Sequence, residues 1–293
     1  MPKVSKHKVK KKAARKRPRA ARGLSKKKGV EALIKPMGFN EDDPIKMSLY
    51  GRSGTGKTTF WATFPGPILA LICSGSKDPG ELRSVDTPAN RKRIETATIE
   101  DTDSLRQLVE HQKETEKYAT IVLDHATALQ DLVLFKDILE MDEIPEQKSW
   151  GTAGRTEWME CTLRMKTWLR FILDLSCNVV VVTQEKEFNT DTEEELLSPF
   201  VGSALQPATT GWLNSVSDYI CQTHIRPKMM EKDVKIGTKT KNRKVKTGKV
   251  EYCLRTGPHE VYQTRFRTAR RNNEVSVIVD PTFDKVQKLI MSD

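Results

Sequence analysis

Residues 49–60 read "LYGRSGTGKTTF", and this stretch decides the fold. From Gly51 to Thr58 it fits G-x-x-x-x-G-K-[ST], a loop whose glycines let backbone N–H groups turn inward around an anionic phosphate chain. A strand-like lead-in, "IKMSLYG" (45–51), precedes it and a helical segment, "KTTFWATF", follows. That strand–loop–helix order presents the positive end of the helix to the same anion. The predicted nucleotide loop comprises Gly51, Arg52, Ser53, Gly54, Thr55, Gly56, Lys57, Thr58 and Thr59. Lys57 is expected to reach the β- and γ-phosphates of ATP, the Thr58 hydroxyl to bind Mg²⁺, and Thr59 to contact the α-phosphate.

Working outward, short apolar runs alternate with helical periodicity. "GPILALICSGS" (66–76), "ATIVLDHA" (119–126) and "NVVVVTQE" (178–185) read as buried strands. Between them, Leu105, Leu108 and Val109 mark a helix capped by Asp101 or Asp103, a second helix starts at Ala126, and Trp158, Thr162, Met165, Leu169 and Ile172 mark a third over 155–175. Continuous apolar strands separated by helices require a parallel sheet covered on both faces. "SDYICQTHI", "KVEYCLRTG", "EVYQTRFRT" and "EVSVIVD" then predict antiparallel edge strands, and "FDKVQKLI" a closing helix. The fold class is α/β.

Two strand ends carry further polar groups. A phosphate loop with its metal needs a second carboxylate, and Asp124, at the end of "TIVLD", is placed by a neighbouring parallel strand beside Thr58. A helix cap is the other use of an acid there. Gln184, after "VVVVT", is positioned to sense the γ-phosphate or the attacking water.

Charge divides the chain. Residues 1–28 hold fourteen Lys and Arg and no acid, while the whole chain carries a net +11, so the remainder is slightly acidic. A tail this poor in apolar side chains cannot offset its chain entropy by burial, and residues 1–30 are expected to be a disordered basic arm ahead of one domain over 31–293. Such an arm neutralises phosphates without reading sequence; a solubility or targeting role is the alternative. A second basic cluster, "KDVKIGTKTKNRKVKTGK" (232–249), predicts a projecting hairpin or loop within an insertion at 228–249, with Lys241, Arg243 and Lys244 as candidate DNA contacts. The five cysteines are scattered, without ligand spacing, and read as buried thiols rather than a disulfide frame or zinc site. No stretch is long and apolar enough for a membrane span, and the expectation is a soluble, cytoplasmic protein.

The order "GRSGTGKTT", "TIVLDHATALQ", amphipathic helix, "VVVVTQEKE", long polar loop and "YQTRFR" resembles the RecA-like, AAA-family nucleotide-binding proteins of bacteriophages, including their single-strand-annealing ATPases. The resemblance spans about 40–293. It implies a RecA-like ATPase core that forms rings or filaments on single-stranded DNA and promotes annealing or recombination, with a single-strand-binding protein as a possible partner and the host cytoplasm as location. It makes Gln184 the link between nucleotide state and a mobile DNA loop that follows it. It makes the segment 142–157 a first axial loop, with Lys148, Trp150, Arg155 and Gln206 as candidate DNA contacts. It makes Arg265 and Arg267 a pair reaching the nucleotide of an adjacent subunit. In that family the second strand commonly ends in an acid that activates water. Here it ends in Cys73 and Ser74, and Asp78, Glu81 or Glu185 would have to substitute. The alternatives are another P-loop DNA motor, such as a helicase loader or packaging subunit, and a nucleotide-binding module without efficient hydrolysis.

Overall fold

The computed structural model describes residues 43–73, 80–139, 153–188, 191–192, 195–196, 199–236, 239–267 and 276–291. The basic arm expected over 1–30 lies outside them. Strand β1 (Lys46–Gly51) leads into the glycine loop, and helix α1 (Lys57–Trp61) leaves it. There follow β2 (Ile68–Ile72), β3 (Ile94–Thr98), α2 (Thr102–Thr115), β4 (Thr120–Asp124), α3 (Ala126–Leu132), α4 (Arg155–Leu173) and β5 (Asn178–Thr183). The chain continues through β6 (Glu185–Phe188), β7 (Asp191–Thr192), β8 (Glu195–Leu196), β9 (Phe200–Ser203) and α5 (Pro207–Val216). It ends with β10 (Tyr219–Ile236), β11 (Lys239–Arg255), β12 (Arg265–Phe266), β13 (Val277–Val279) and α6 (Phe283–Met291).

The main sheet runs β13-β11-β10-β1-β5-β4-β2-β3, with β12 beside β10. From β3 to β10 all neighbours are parallel, and β11, β12 and β13 join antiparallel. This is a mainly parallel sheet with antiparallel edge strands, as expected from the sequence. Alternate residues of the apolar strands feed opposite cores, as the two-residue period of a strand demands. Leu71, Leu123 and Val181 pack under α2, α3 and α4, whereas Ile72, Val122 and Val182 pack under α1 and α6.

The caps follow local chemistry. Asp101 accepts from Ser104 N at 2.6 Å and so starts α2. His125 Nδ1 accepts from Ala128 N at 3.0 Å and starts α3. That bond gives α3 a cap other than Asp124.

Two expectations need correction. β4 is not the neighbour of β1, because β5 lies between them. Asp124 nevertheless reaches the same end of the sheet, since parallel strands all finish on one edge. The second concerns the segment after Gln184, expected as a mobile loop. Glu185–Phe188 pairs antiparallel with Phe200–Ser203, and Phe188 stacks on Phe200 with ring centroids 5.0 Å apart. The base of that segment is a hairpin. The basic cluster, by contrast, forms the expected projecting hairpin: β10 and β11 stay paired from Gln222–Arg255 out to Ile236–Lys239.

Candidate nucleotide site

Gly54 and Gly56 adopt φ of 77° and 90°, left-handed values that side chains rarely tolerate. Gly51 is needed for a different reason: a Cβ there would lie 2.3 Å from Thr223 Oγ1 and 2.5 Å from Thr223 O. The loop is thus wedged against β10. Thr55 reinforces the contact, its hydroxyl lying 2.7 Å from both Arg52 O and Thr223 Oγ1. β10 supplies Thr223 from 168 residues further along the chain than Thr55, which no local reading of the sequence can find.

Around this loop a cavity of about 390 Å³ is lined by Ser53, Gly54, Gly56, Lys57, Thr58, Thr59, Ser84, Asp124, His125, Gln184 and Tyr252. Every group predicted to handle phosphate or metal there is present except Gly51 and Thr55, which pack against Thr223 behind it, and Arg52, whose exposed side chain pairs with Glu185. Lys57 Nζ donates to Gly51 O at 2.7 Å and Arg52 O at 2.8 Å, and reaches Gln184 Oε1 at 3.4 Å. The lysine and the glutamine are therefore in contact across the cavity. Gln184 N also donates to Thr127 Oγ1 at 3.3 Å, tying the end of β5 to α3.

Asp124 is 6% exposed and accepts from Trp61 Nε1 at 2.9 Å. The Thr58 hydroxyl and the Asp124 carboxylate face one cavity, a hard-oxygen pair that suits Mg²⁺. When bound, such an ion neutralises charge developing on phosphate oxygens. The residues of this chain could supply the rest: the glycine loop has backbone N–H groups to offer an anion, Lys57 a fixed positive charge, and Gln184 a polar side chain beside it.

The predicted base substitutes fare differently. Glu185 is not directed at the cavity. Its carboxylate accepts from Arg52 Nε at 2.6 Å and from Gln222 Nε2 at 3.1 Å, so it braces the phosphate loop. Arg255 Nε continues this chain by donating to Gln222 Oε1 at 3.1 Å. Cys73 is buried, and burial followed by the Asp124 charge pushes its thiol up to about 12, so it stays protonated at neutral pH. Ser74 and Asp78 lie outside the described residues, as do Lys148 and Trp150.

Arg265 also takes a different role from the one expected. Its Nη2 donates to Asn214 O and Ser217 O, at the carboxyl end of α5, where unpaired carbonyls and the helix dipole favour a cation. Burial lowers its pKa. Arg267 reaches the same helix end from a more exposed position, pairing with Asp218 at 2.9 Å. Gln206 is likewise engaged inside the fold: its N–H donates to Gln130 Oε1 at 2.9 Å and its side-chain oxygen accepts from Thr162. Arg155 and Lys244 are exposed, and Lys241 and Arg243 lie further out on β11.

Sequence reasoning missed Trp61, Ser84, Thr223 and Tyr252. Trp61 carried a weak signal, being a polar-tipped ring at the end of a short helix that starts in the glycine loop.

Among described residues, no helix is long and apolar enough to cross a membrane. No curated protein matches the sequence. A KaiC-like protein from the hyperthermophilic archaeon Pyrococcus horikoshii OT3 is similar in structure, with a TM-score of 0.40 at 14% identity over 83% of this chain and 92% of that one. An ATPase from the type III secretion system of pathogenic bacteria gives a TM-score of 0.38 at 12% identity over 62% of this chain and 53% of that one. The model of a family described as an AAA domain matches residues 43–268. With its phosphate loop, lysine and strand-end acid gathered at one cavity, the chain belongs to this AAA-domain family of P-loop ATPases.

Proposed function

We propose that the protein is an ATPase that binds single-stranded DNA as an oligomer and serves in recombination or strand annealing. One observation carries this reading. The strands that wall the phosphate loop, through Thr223 on β10 and Tyr252 on β11, run on into the basic hairpin, with one register shift between Pro227 and Met229. Residues 228–249 of that hairpin hold nine Lys and Arg against two acids. Phosphate held at one end of the hairpin and DNA phosphate at the other are then linked by one pair of strands. Lys241, Arg243, Lys244 and the amino-terminal arm supply the non-specific charge, and Arg267 is the cation kept as a candidate for reaching a neighbouring subunit.

Filter retention of labelled single-stranded DNA, with and without ATP and Mg²⁺, tests this directly. ATP is expected to change retention several-fold, and Lys57→Ala to abolish the difference. Equal, weak retention in every condition sinks the proposal.

Cys73, where the resembled family has an acid, favours a second reading in which nucleotide binding alone switches the DNA-bound state. Turnover that stays at background with single-stranded DNA present, while ATP still alters retention, selects it over the first.

A further inference from the structure

The cavity is not polar throughout. Tyr252 closes it on the side of Gly56, where its ring would lie 3.1 Å from a Cβ placed on that glycine, and yet 45% of the residue remains exposed. Its cross-strand partner is Ile225, and directly opposed residues share a face. The next pair outward on that face is Pro227 with Val250. Ile225 is 49% and Val250 52% exposed. Inward along the same face stand Leu254, fully buried, and Thr223, which touches the phosphate loop. One sheet face thus passes from a packed core to the loop wall, then to an aromatic ring, then to an uncovered apolar shelf.

An exposed tyrosine flanked by exposed aliphatic side chains forms an apolar patch, and beside a phosphate cradle such a patch has one evident use. A nucleoside triphosphate anchored by Lys57 and Thr58 has a flat, weakly polar base to place nearby. Aromatic side chains hold bases through their π-faces, and each base has one.

We propose that Tyr252, with Ile225 and Val250, is the nucleobase platform of the site, and that this platform holds purines by stacking without telling adenine from guanine. The reasoning is chemical. Strong discrimination requires buried hydrogen-bonding groups that go unpaired with the wrong base, whereas an apolar surface separates isosteres weakly. Ile225, Pro227 and Val250 offer no side-chain donor or acceptor, and the tyrosine offers its ring face. The substrate class is purine nucleoside triphosphates in general. This rests on the reading of the glycine loop as the phosphate site, and it fails separately from it.

The test is a set of calorimetric titrations with Mg²⁺ on the full chain, using ATP, GTP and inorganic tripolyphosphate. For the unaltered protein, ATP and GTP should bind within about tenfold of each other and both more tightly than tripolyphosphate. Tyr252→Ala should weaken ATP and GTP by about tenfold or more, the size of one base–aromatic stack, and leave tripolyphosphate unchanged. Tyr252→Phe should recover the loss and Tyr252→Leu should not, because leucine restores apolar bulk against Gly56 without a flat ring. An equal loss for tripolyphosphate and ATP would overturn the proposal, since the ring would then act only by propping the loop. A preference for ATP over GTP above about a hundredfold would overturn it as well, as would full ATP affinity in Tyr252→Ala. Lys57→Ala reports on the phosphate site itself: if it left tripolyphosphate binding intact, the glycine-loop reading would fall whatever Tyr252 does.

Discussion

The indole N–H of Trp61, at the end of α1, donates to Asp124 Oδ2 on β4 over 2.9 Å. The helix that leaves the phosphate loop is thereby pinned to the acid that faces its threonine. Trp61 is fully buried, so this bond is made in a low-dielectric setting where a hydrogen bond to a charged group contributes about 1.5–3 kcal/mol. Trp61→Phe keeps most of the ring volume and removes the donor. We expect a stability loss of about 2 kcal/mol in urea denaturation, together with a higher Mg²⁺ requirement for turnover.

Asp124→Asn preserves an acceptor for Trp61 and removes the charge. Turnover of ATP should fall by about a hundredfold, near 3 kcal/mol of transition-state stabilisation, while circular dichroism and the melting temperature stay close to wild type. A variant that kept full turnover would exclude Asp124 from the metal site.

Gly51→Ala should be more harmful than a helix-interior glycine substitution. The added Cβ meets Thr223 Oγ1 at 2.3 Å and the backbone oxygen of the same residue at 2.5 Å. Thr223→Ala removes only the first of these obstacles. The double variant should therefore remain as poorly folded as Gly51→Ala, which limited proteolysis can establish.

What the sequence made legible and what it hid divide along one line. The glycine loop, Lys57 and Thr58 depend on backbone chemistry within eight residues, and Asp124 and Gln184 end apolar runs that only a buried strand explains. Thr223 and Tyr252 reach the loop through sheet pairing, from β10 and β11, with eight other strands between β1 and β10 in chain order, so no spacing rule announces them. β3 escaped notice because "IETAT" is an edge strand with three of its five residues exposed, and it lacks the apolar run that marked β2, β4 and β5. The segment around "YQTRFR" was legible as extended chain, but only Arg265–Phe266 joins the sheet. Its two arginines looked alike in sequence; the position of α5 separates them.

That separation is testable. Arg265→Ala strips Asn214 O and Ser217 O of a donor at the end of α5 and should cost about 1–3 kcal/mol in thermal or chemical unfolding. Arg267→Ala breaks an exposed ion pair with Asp218 and should change stability by less than about 1 kcal/mol. If Arg267 acts on a neighbouring subunit, its removal should reduce turnover only at protein concentrations where oligomers form.

All five cysteines are buried. Burial pushes the Cys161 thiol up to about 11 and the Cys73 thiol to about 12, against about 8.5 in an unfolded chain. Because the folded-state values are raised, the stabilisation is complete below the unfolded pKa and is lost progressively as pH rises from about 8.5 toward the folded values. Urea midpoints should therefore decline between pH 8 and 10, less steeply in Cys73→Ala. Iodoacetamide should label none of the cysteines at neutral pH until the protein unfolds.

The paired strands β10 and β11 run outward from the phosphate loop, with one register shift between Pro227 and Met229. From Ile225 to Ile236 the strand advances roughly 3.3 Å per residue, so its far end stands on the order of 35 Å beyond the ring of Tyr252. A swing of about five degrees at Thr223 would sweep that end through roughly 3 Å, close to the rise between stacked bases. A rotation that small at the sheet would be magnified at the tip into a displacement of about one residue's rise along a strand.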